Sequence, residues 1–216
     1  MPNYDLLVFD WDGTLSDSVG RIVDVMQAAA ADLRLPVRSD RSIKSIIGLG
    51  LPEAIQTLYP EMTPGAVERF RQCYSDHFVM REQEPSPFFE GVAEGLAAFR
   101  RKGYRLAVAT GKSRRGLDRV LAAKGLADFF DVTRCADETA SKPDPLMLNE
   151  ILAHCQVHPS KALMIGDAPF DLEMARRAQM ASVAVSYGAQ PVEVLRNYEP
   201  TLVVDRFEEL RVWLDA

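Results

Sequence analysis

No apolar run in this 216-residue chain approaches the ~18 residues that cross a bilayer, so no membrane segment is expected. No basic region followed by an apolar stretch stands at the N-terminus, so no signal peptide is expected either. Basic residues are in deficit. Lys and Arg number 25 against 31 Asp and Glu, giving a net charge of −6 and a pI of about 5.2. Binding to a phosphate backbone wants a basic face, so nucleic acid is not an expected partner. Cysteine is scarce: Cys73, Cys135 and Cys155 are odd in number and widely spaced. They make neither a Cys-x-x-Cys pair nor a disulfide framework, and reduced thiols in a cytoplasmic protein are expected. His154 and His158 would share one helical face with Cys155 between them, but no third ligand lies near and Pro159 ends the helix, so no metal is assigned there. Internal repeats and low-complexity tracts are absent.

What remains is an ordinary soluble composition, 47% hydrophobic and 26% charged. A chain of this size hides roughly 70% of its unfolded surface and fits one domain, or one domain with an insert. The strongest local signal is Asp10-Trp11-Asp12-Gly13-Thr14-Leu15. The apolar run Tyr4 to Phe9 before it reads as a buried strand, ended sharply by polar residues and glycine. Side chains alternate along a strand, so Asp10 and Asp12 start on one side and Trp11 on the other. Two carboxylates so placed are costly to hold without a cation or a task.

After Leu15 comes a helical block. The pattern predicts helices over Val19 to Leu35 (capped by Ser16 or Ser18 and stopped by Pro36), Ser39 to Ile47, Pro52 to Tyr59, and Thr63 to about Arg81. Gly48-Leu49-Gly50 breaks the second from the third, and Glu84-Pro85-Ser86-Pro87 reads as a linker. The block, residues 17–84, holds eight basic and ten acidic residues and is no basic patch; Arg38, Arg41 and Lys44 before the glycine break read as a solvated face. From Gly91 helix and strand alternate. Helices are predicted over Val92 to Lys102, Ser113 to Lys124, Pro143 to Gln156, Phe170 to Gln179, from about Val192, and up to Leu214. Strands are predicted over Tyr104 to Thr110, Val132 to Ala136, Ala162 to Ile165, Ser182 to Val185 and Leu202 to Val204. That order implies βαβ units: an α/β fold with a Rossmann-like parallel sheet flanked by helices, joined by the N-terminal strand. The expected division is a catalytic core of residues 1–16 and 85–216, with an inserted α-helical cap at 17–84.

In open α/β sheets ligands bind beyond the carboxyl ends of the strands. Those ends carry Asp10 and Asp12, then Thr110-Gly111, then Gly166-Asp167, with Lys142 in the loop after Ala136. A hydroxyl and the next backbone N–H suit phosphate oxygens, and an ammonium pairs with both carboxylate and phosphate. Hard carboxylate oxygens around one small dication are what Mg²⁺ takes. Gly111-Lys112-Ser113 is not a P-loop, because the required earlier glycine is Leu106.

Asp10-Trp11-Asp12-Gly13-Thr14, the strand ending in Thr110, Ser141-Lys142-Pro143-Asp144-Pro145 and Gly166-Asp167-Ala168-Pro169-Phe170-Asp171 together resemble the four motifs of the haloacid dehalogenase superfamily, in order and across essentially the whole chain. Leu15-Ser16-Asp17-Ser18 is similar to its phosphoglycolate-phosphatase-like members. The resemblance implies a Mg²⁺-dependent phosphatase acting on a small phosphorylated metabolite such as phosphoglycolate, as a monomer or homodimer. In it Asp10 is the nucleophile, Asp12 the acid and base, and Thr110, Gly111 and Lys142 bind phosphate. The metal falls to Asp10, Asp167 and the backbone carbonyl of Asp12, with Asp171 as supporting acid, and Gly48, Leu49 and Gly50 as a cap specificity loop. Asp12 also departs from the family's dehalogenase branch, which lacks that acid. Ala168, where the family often has Ser or Thr, removes a hydroxyl and implies a lost hydrogen bond. Alternatives are a phosphomutase like β-phosphoglucomutase, a pyrophosphatase, and an inactive binding module.

Overall fold

The computed structural model describes residues 4–81 and 85–216. Six strands form one parallel sheet: β1 (Leu6–Phe9), β2 (Arg105–Thr110), β3 (Val132–Cys135), β4 (Ala162–Gly166), β5 (Ala181–Val185) and β6 (Leu202–Val204), in the order β3-β2-β1-β4-β5-β6. The strand period of two divides each central strand between two cores. Leu7, Phe9, Leu106, Val108, Leu163 and Ile165 enter one apolar cluster; Leu6, Val8, Ala107, Ala109, Ala162 and Met164 enter the other. Helices α5 (Val92–Arg101), α6 (Arg114–Ala123), α7 (Leu146–Cys155), α8 (Pro169–Arg177), α9 (Val192–Arg196) and α10 (Phe207–Asp215) cover the two faces. Strand order reverses at β1, which lies between β2 and β4, and puts the switch point of the sheet there.

Between β1 and α5 run four helices: α1 (Val19–Asp32), α2 (Asp40–Lys44), α3 (Leu51–Leu58) and α4 (Pro64–Arg81). They bury their own cluster, including Val25, Met26, Ile43, Ile55, Tyr59 and Phe70. The two chain crossings into this helical unit lie side by side: Asp17 N–H donates to Pro87 O at 2.9 Å, Phe89 N–H donates to Leu15 O at 3.1 Å, and Ser16 bridges antiparallel to Phe88. The expected linker falls partly on Glu84, outside the described residues.

Several expected boundaries move. Helix α1 stops at Asp32, well before Pro36: Arg34 takes a left-handed backbone, φ 55°, and Leu35 N–H reaches back to Ala30 O. This is a Schellman-type ending with arginine in the place usual for glycine. Ser18 is the N-cap of α1, but its hydroxyl makes no cap bond. Pro143 is not in a first helical turn. It follows a cis Lys142–Pro143 peptide in a turn, and α7 begins at Leu146, whose N–H donates to Asp144. His154 and His158 do not share a helical face, because α7 ends at Cys155 and His158 instead caps the 3₁₀ turn Pro159–Lys161.

Candidate active site

Asp10 follows β1 directly, and its N–H extends the ladder to Ile165 O at 2.9 Å. The carboxyl ends of β1, β2 and β4 are therefore neighbours, which brings Asp10, Thr110 and Asp167 to one edge of the sheet. All three are buried, as are Asp12, Lys142 and Asp171. Lys142 Nζ donates to Asp10 Oδ1 at 2.7 Å and to Asp171 Oδ1 at 2.7 Å. Asp171 Oδ2 accepts the N–H of Ala168 at 3.0 Å, so the fourth residue of Ala168-Pro169-Phe170-Asp171 reaches back to cap α8. Asp167 accepts from the Thr14 hydroxyl at 2.8 Å and from Ala189 N–H at 2.7 Å. Gly13 has φ 87°, and a Cβ there would fall 2.3 Å from Asp167 Oδ2, so only glycine lets the first motif pass this carboxylate.

Carboxylate oxygens of Asp10, Asp167 and Asp171 lie within 4.8 Å of one another. Three ionised carboxylates against one ammonium would leave two negative charges uncompensated in a buried site. The energetics register the crowding. Burial raises the Asp10 carboxyl well above its ordinary range against the pull of Lys142, and the charges of Asp171 and Asp167 raise it further. Burial, then the charge of Asp171, push Asp167 up to about 7. Burial alone would lower Lys142, but Asp10 and Asp171 overcome it and hold the ammonium charged. Asp10 Oδ2 is buried with no hydrogen-bond partner. An oxygen-only donor set, excess negative charge and an orphaned buried carboxylate oxygen fit a hard dication such as Mg²⁺. Asp171, expected as a supporting acid, belongs to this carboxylate cluster; the Asp12 carboxylate stands outside it.

Asp12 has a different environment. Its Oδ1 accepts the Ser18 hydroxyl at 2.6 Å and lies 3.0 Å from Lys112 Nζ. Trp11, between the two aspartates, turns into the sheet's apolar cluster against Phe88 and Phe130. Lys112 Nζ also lies 5.0 Å from the centre of the Phe78 ring on α4, so this lysine touches both the acid and the helical unit. Lys112 has no assignment from sequence; the only signal is a lysine two residues after the β2 terminus. Ser18 and Thr14 likewise read as capping and motif residues until long-range contacts give them carboxylate partners.

Gly48, Leu49 and Gly50 lie on the core. A Cβ on Gly111 would come within 2.3 Å of Leu49 O and 2.7 Å of Gly48 O, and Gly50 N–H donates to Ser141 Oγ at 2.8 Å. On its other side a Cβ on Gly48 would sit 3.3 Å from Ala168 Cβ, the position where the expected hydroxyl is missing. The Thr110 hydroxyl accepts Lys112 N–H at 3.2 Å. Beside Asp12 a cavity lined by Trp11, Ser18, Phe78 and Lys112 has a volume of only about 10 Å³. That holds roughly one water.

Comparison with known proteins adds an independent line. The family model described as haloacid dehalogenase-like hydrolase matches residues 7–185. A probable phosphatase, IndB, of Dickeya dadantii is 35% identical over 95% of this chain and 91% of its own. A phosphoglycolate phosphatase of Nitrosococcus oceani is 30% identical, covering 96% and 95%. Among solved structures, a predicted phosphoglycolate phosphatase from Haemophilus somnus superposes with a TM-score of 0.82 at 25% identity, over 97% of each chain.

Proposed function

This chain belongs to the haloacid dehalogenase-like hydrolase family and is a phosphoric monoester hydrolase, and from that premise we propose that it is a Mg²⁺-dependent phosphatase working through an aspartyl-phosphate on Asp10. The observation that carries the reading is the Asp10 carboxylate: buried, anchored at Oδ1 by Lys142, and unpartnered at Oδ2. Asp10 attacks phosphorus, a bond forms from its carboxylate oxygen, and the ester oxygen leaves. Asp12, two residues on, gives that oxygen a proton and then takes one from the water that opens the intermediate. The Thr110 hydroxyl, the Gly111 N–H and the Lys142 ammonium hold the phosphoryl oxygens. Asp10 and Asp167, with Asp171 beside them and the backbone carbonyl of Asp12, are the residues that would hold Mg²⁺. Bound there, Mg²⁺ supplies positive charge against the repulsion between nucleophile and phosphate.

Residues 1–16 and 85–216 act as the catalytic core, and α1–α4, within 17–84, as a cap. The cap rests on Gly111 and Ser141 and leaves about a water's space beside Asp12, so substrate enters when the cap lifts and water is excluded when it returns. The substrate class is a small phosphomonoester, with phosphoglycolate as the first to try given the named relatives. The three cysteines are unpaired, and no helix among the described residues is long and apolar enough to cross a membrane; the expected site of action is the cytoplasm. The test is phosphate release from an aryl phosphate and from phosphoglycolate, with Mg²⁺ and with a chelator. Mg²⁺-dependent release lost in Asp10→Asn supports the reading; full activity in that variant overturns it.

A further inference from the structure

A second group of metal-ligand side chains lies on the helical unit, remote in chemistry from the carboxylate cluster. Cys73 and His77 are four apart on α4, so both project from one face of that helix. Asp32, the last residue of α1, meets them: His77 Nε2 lies 2.6 Å from Asp32 Oδ2. One ligand atom from each of Asp32, Cys73 and His77 lies within 4.8 Å of the others. They open on a surface cavity of about 480 Å³, whose lining also includes Gln72, Asp76 and Arg69. Cys73 is half-buried, and its thiol makes only a long contact of 3.9 Å to Ala29 O.

We propose that Asp32, Cys73 and His77 form a binding site for a borderline-soft dication, Zn²⁺ in chemical class, with water completing the coordination. One sulfur, one imidazole nitrogen and one carboxylate oxygen make a donor set that suits zinc and not Mg²⁺. Bonds of about 2.0–2.3 Å put tetrahedral ligand atoms roughly 3.3–3.7 Å apart, so the 2.6 Å between His77 and Asp32 has to open by about an ångström to admit the ion. The cation takes the place of the hydrogen now shared between His77 and Asp32: the imidazole binds through Nε2 and carries its proton on Nδ1. The site also sits at the carboxyl end of the 14-residue α1, where the helix dipole favours positive charge. Asp32 and Asp76 set two negative charges there against the one positive charge of Arg69. Burial, with the charges of Asp32 and Asp76, raises the Cys73 thiol, so the metal displaces its proton on binding. The bound ion would tie the first cap helix to the last.

The probe is Co²⁺ added to the metal-free full-length chain. Thiolate ligation gives an intense near-ultraviolet charge-transfer band, which Co²⁺ among the carboxylates of Asp10, Asp167 and Asp171 cannot give. The expected result is that band at one equivalent, displaced by Zn²⁺, abolished in Cys73→Ser, and weakened at least ~10-fold in affinity in His77→Ala and Asp32→Ala. Absence of the band, or its persistence in Cys73→Ser, overturns the proposal. Should Cys73→Ser not fold, alkylation of the unmodified protein decides. Micromolar Zn²⁺ is expected to protect Cys73 from iodoacetamide where millimolar Mg²⁺ does not, and equal alkylation in both overturns the site.

Discussion

The core and the helical unit meet where Gly48, Leu49 and Gly50 lie against Gly111 and Ser141, but they present different chemistry to each other. The core side is made of side chains: Asp10, Asp12, Thr110, Lys142, Asp167 and Asp171, all buried and tied to one another, to nearby backbone or, for Asp12, to Ser18 and Lys112. The helical unit's loop meets it through backbone, the carbonyls of Gly48 and Leu49 on Gly111 and the N–H of Gly50 on Ser141. Those groups stand at strand ends, in the loop carrying Lys142 and in the first turn of α8, where the packed core fixes them. The loop's contact is carried on main chain, while Phe78 of α4 sets a ring against Lys112 and Ser18 donates to Asp12. In the proposed mechanism bond making depends on the core, and access and substrate choice on the helical unit.

The largest expected effect breaks the core side alone. Asp10→Asn removes the nucleophile and should lower kcat by about 10⁴-fold or more, with the fold unchanged by circular dichroism. Asp12→Asn should lower kcat by ~10²–10⁴-fold, measured as steady-state phosphate release. With an aryl phosphate, whose leaving group needs no proton, it should also let the phospho-enzyme accumulate, since only the breakdown step then depends on Asp12.

Gly111→Ala sharpens the comparison from the other side. Its Cβ meets the Leu49 and Gly48 carbonyls and no core atom within that distance, so the cap cannot seat while the core stays intact. The expectation is a roughly 10–100-fold loss in kcat/KM with little change in Tm. An equal fall in Tm would place the damage in the core instead.

The smallest effect is on stability. Burial and the charge of Asp171 push the Asp167 carboxyl up to about 7 in the folded chain, above its unfolded value of ~3.9. The folded state therefore holds the proton more tightly, and its stability falls as pH rises from about 4 through about 7. Mg²⁺ held by the ionised cluster, as proposed, would oppose that loss. The difference in Tm between Mg²⁺ and chelator should grow from about pH 5 to about pH 7.5, read by calorimetry; a constant difference contradicts a cation among these carboxylates.

The core was legible in sequence because its signals are local. The apolar runs of β1, β2 and β4 end in Asp10, Thr110 and Asp167, and the parallel sheet follows from alternating elements. What escaped depends on long-range partners. Lys112 next to Asp12 and Thr14 on Asp167, 153 residues away, have no signature in their own neighbourhoods. Helix ends depart from the proline signals: α1 ends before the expected stop at Pro36 through left-handed Arg34, and Pro143, expected to open a helix, precedes α7 without starting it. Asp32, Cys73 and His77 have no joint signature in sequence because Asp32 comes from another helix, whereas His154 and His158 only share a spacing.

The most direct measurement is a rapid acid quench of the enzyme turning over an aryl phosphate, followed by peptide mass analysis. The account predicts one added phosphoryl group on the peptide carrying Asp10, more abundant in Asp12→Asn and absent in Asp10→Asn. Full turnover with no phosphoryl group on that peptide, in either the native chain or Asp12→Asn, would contradict it.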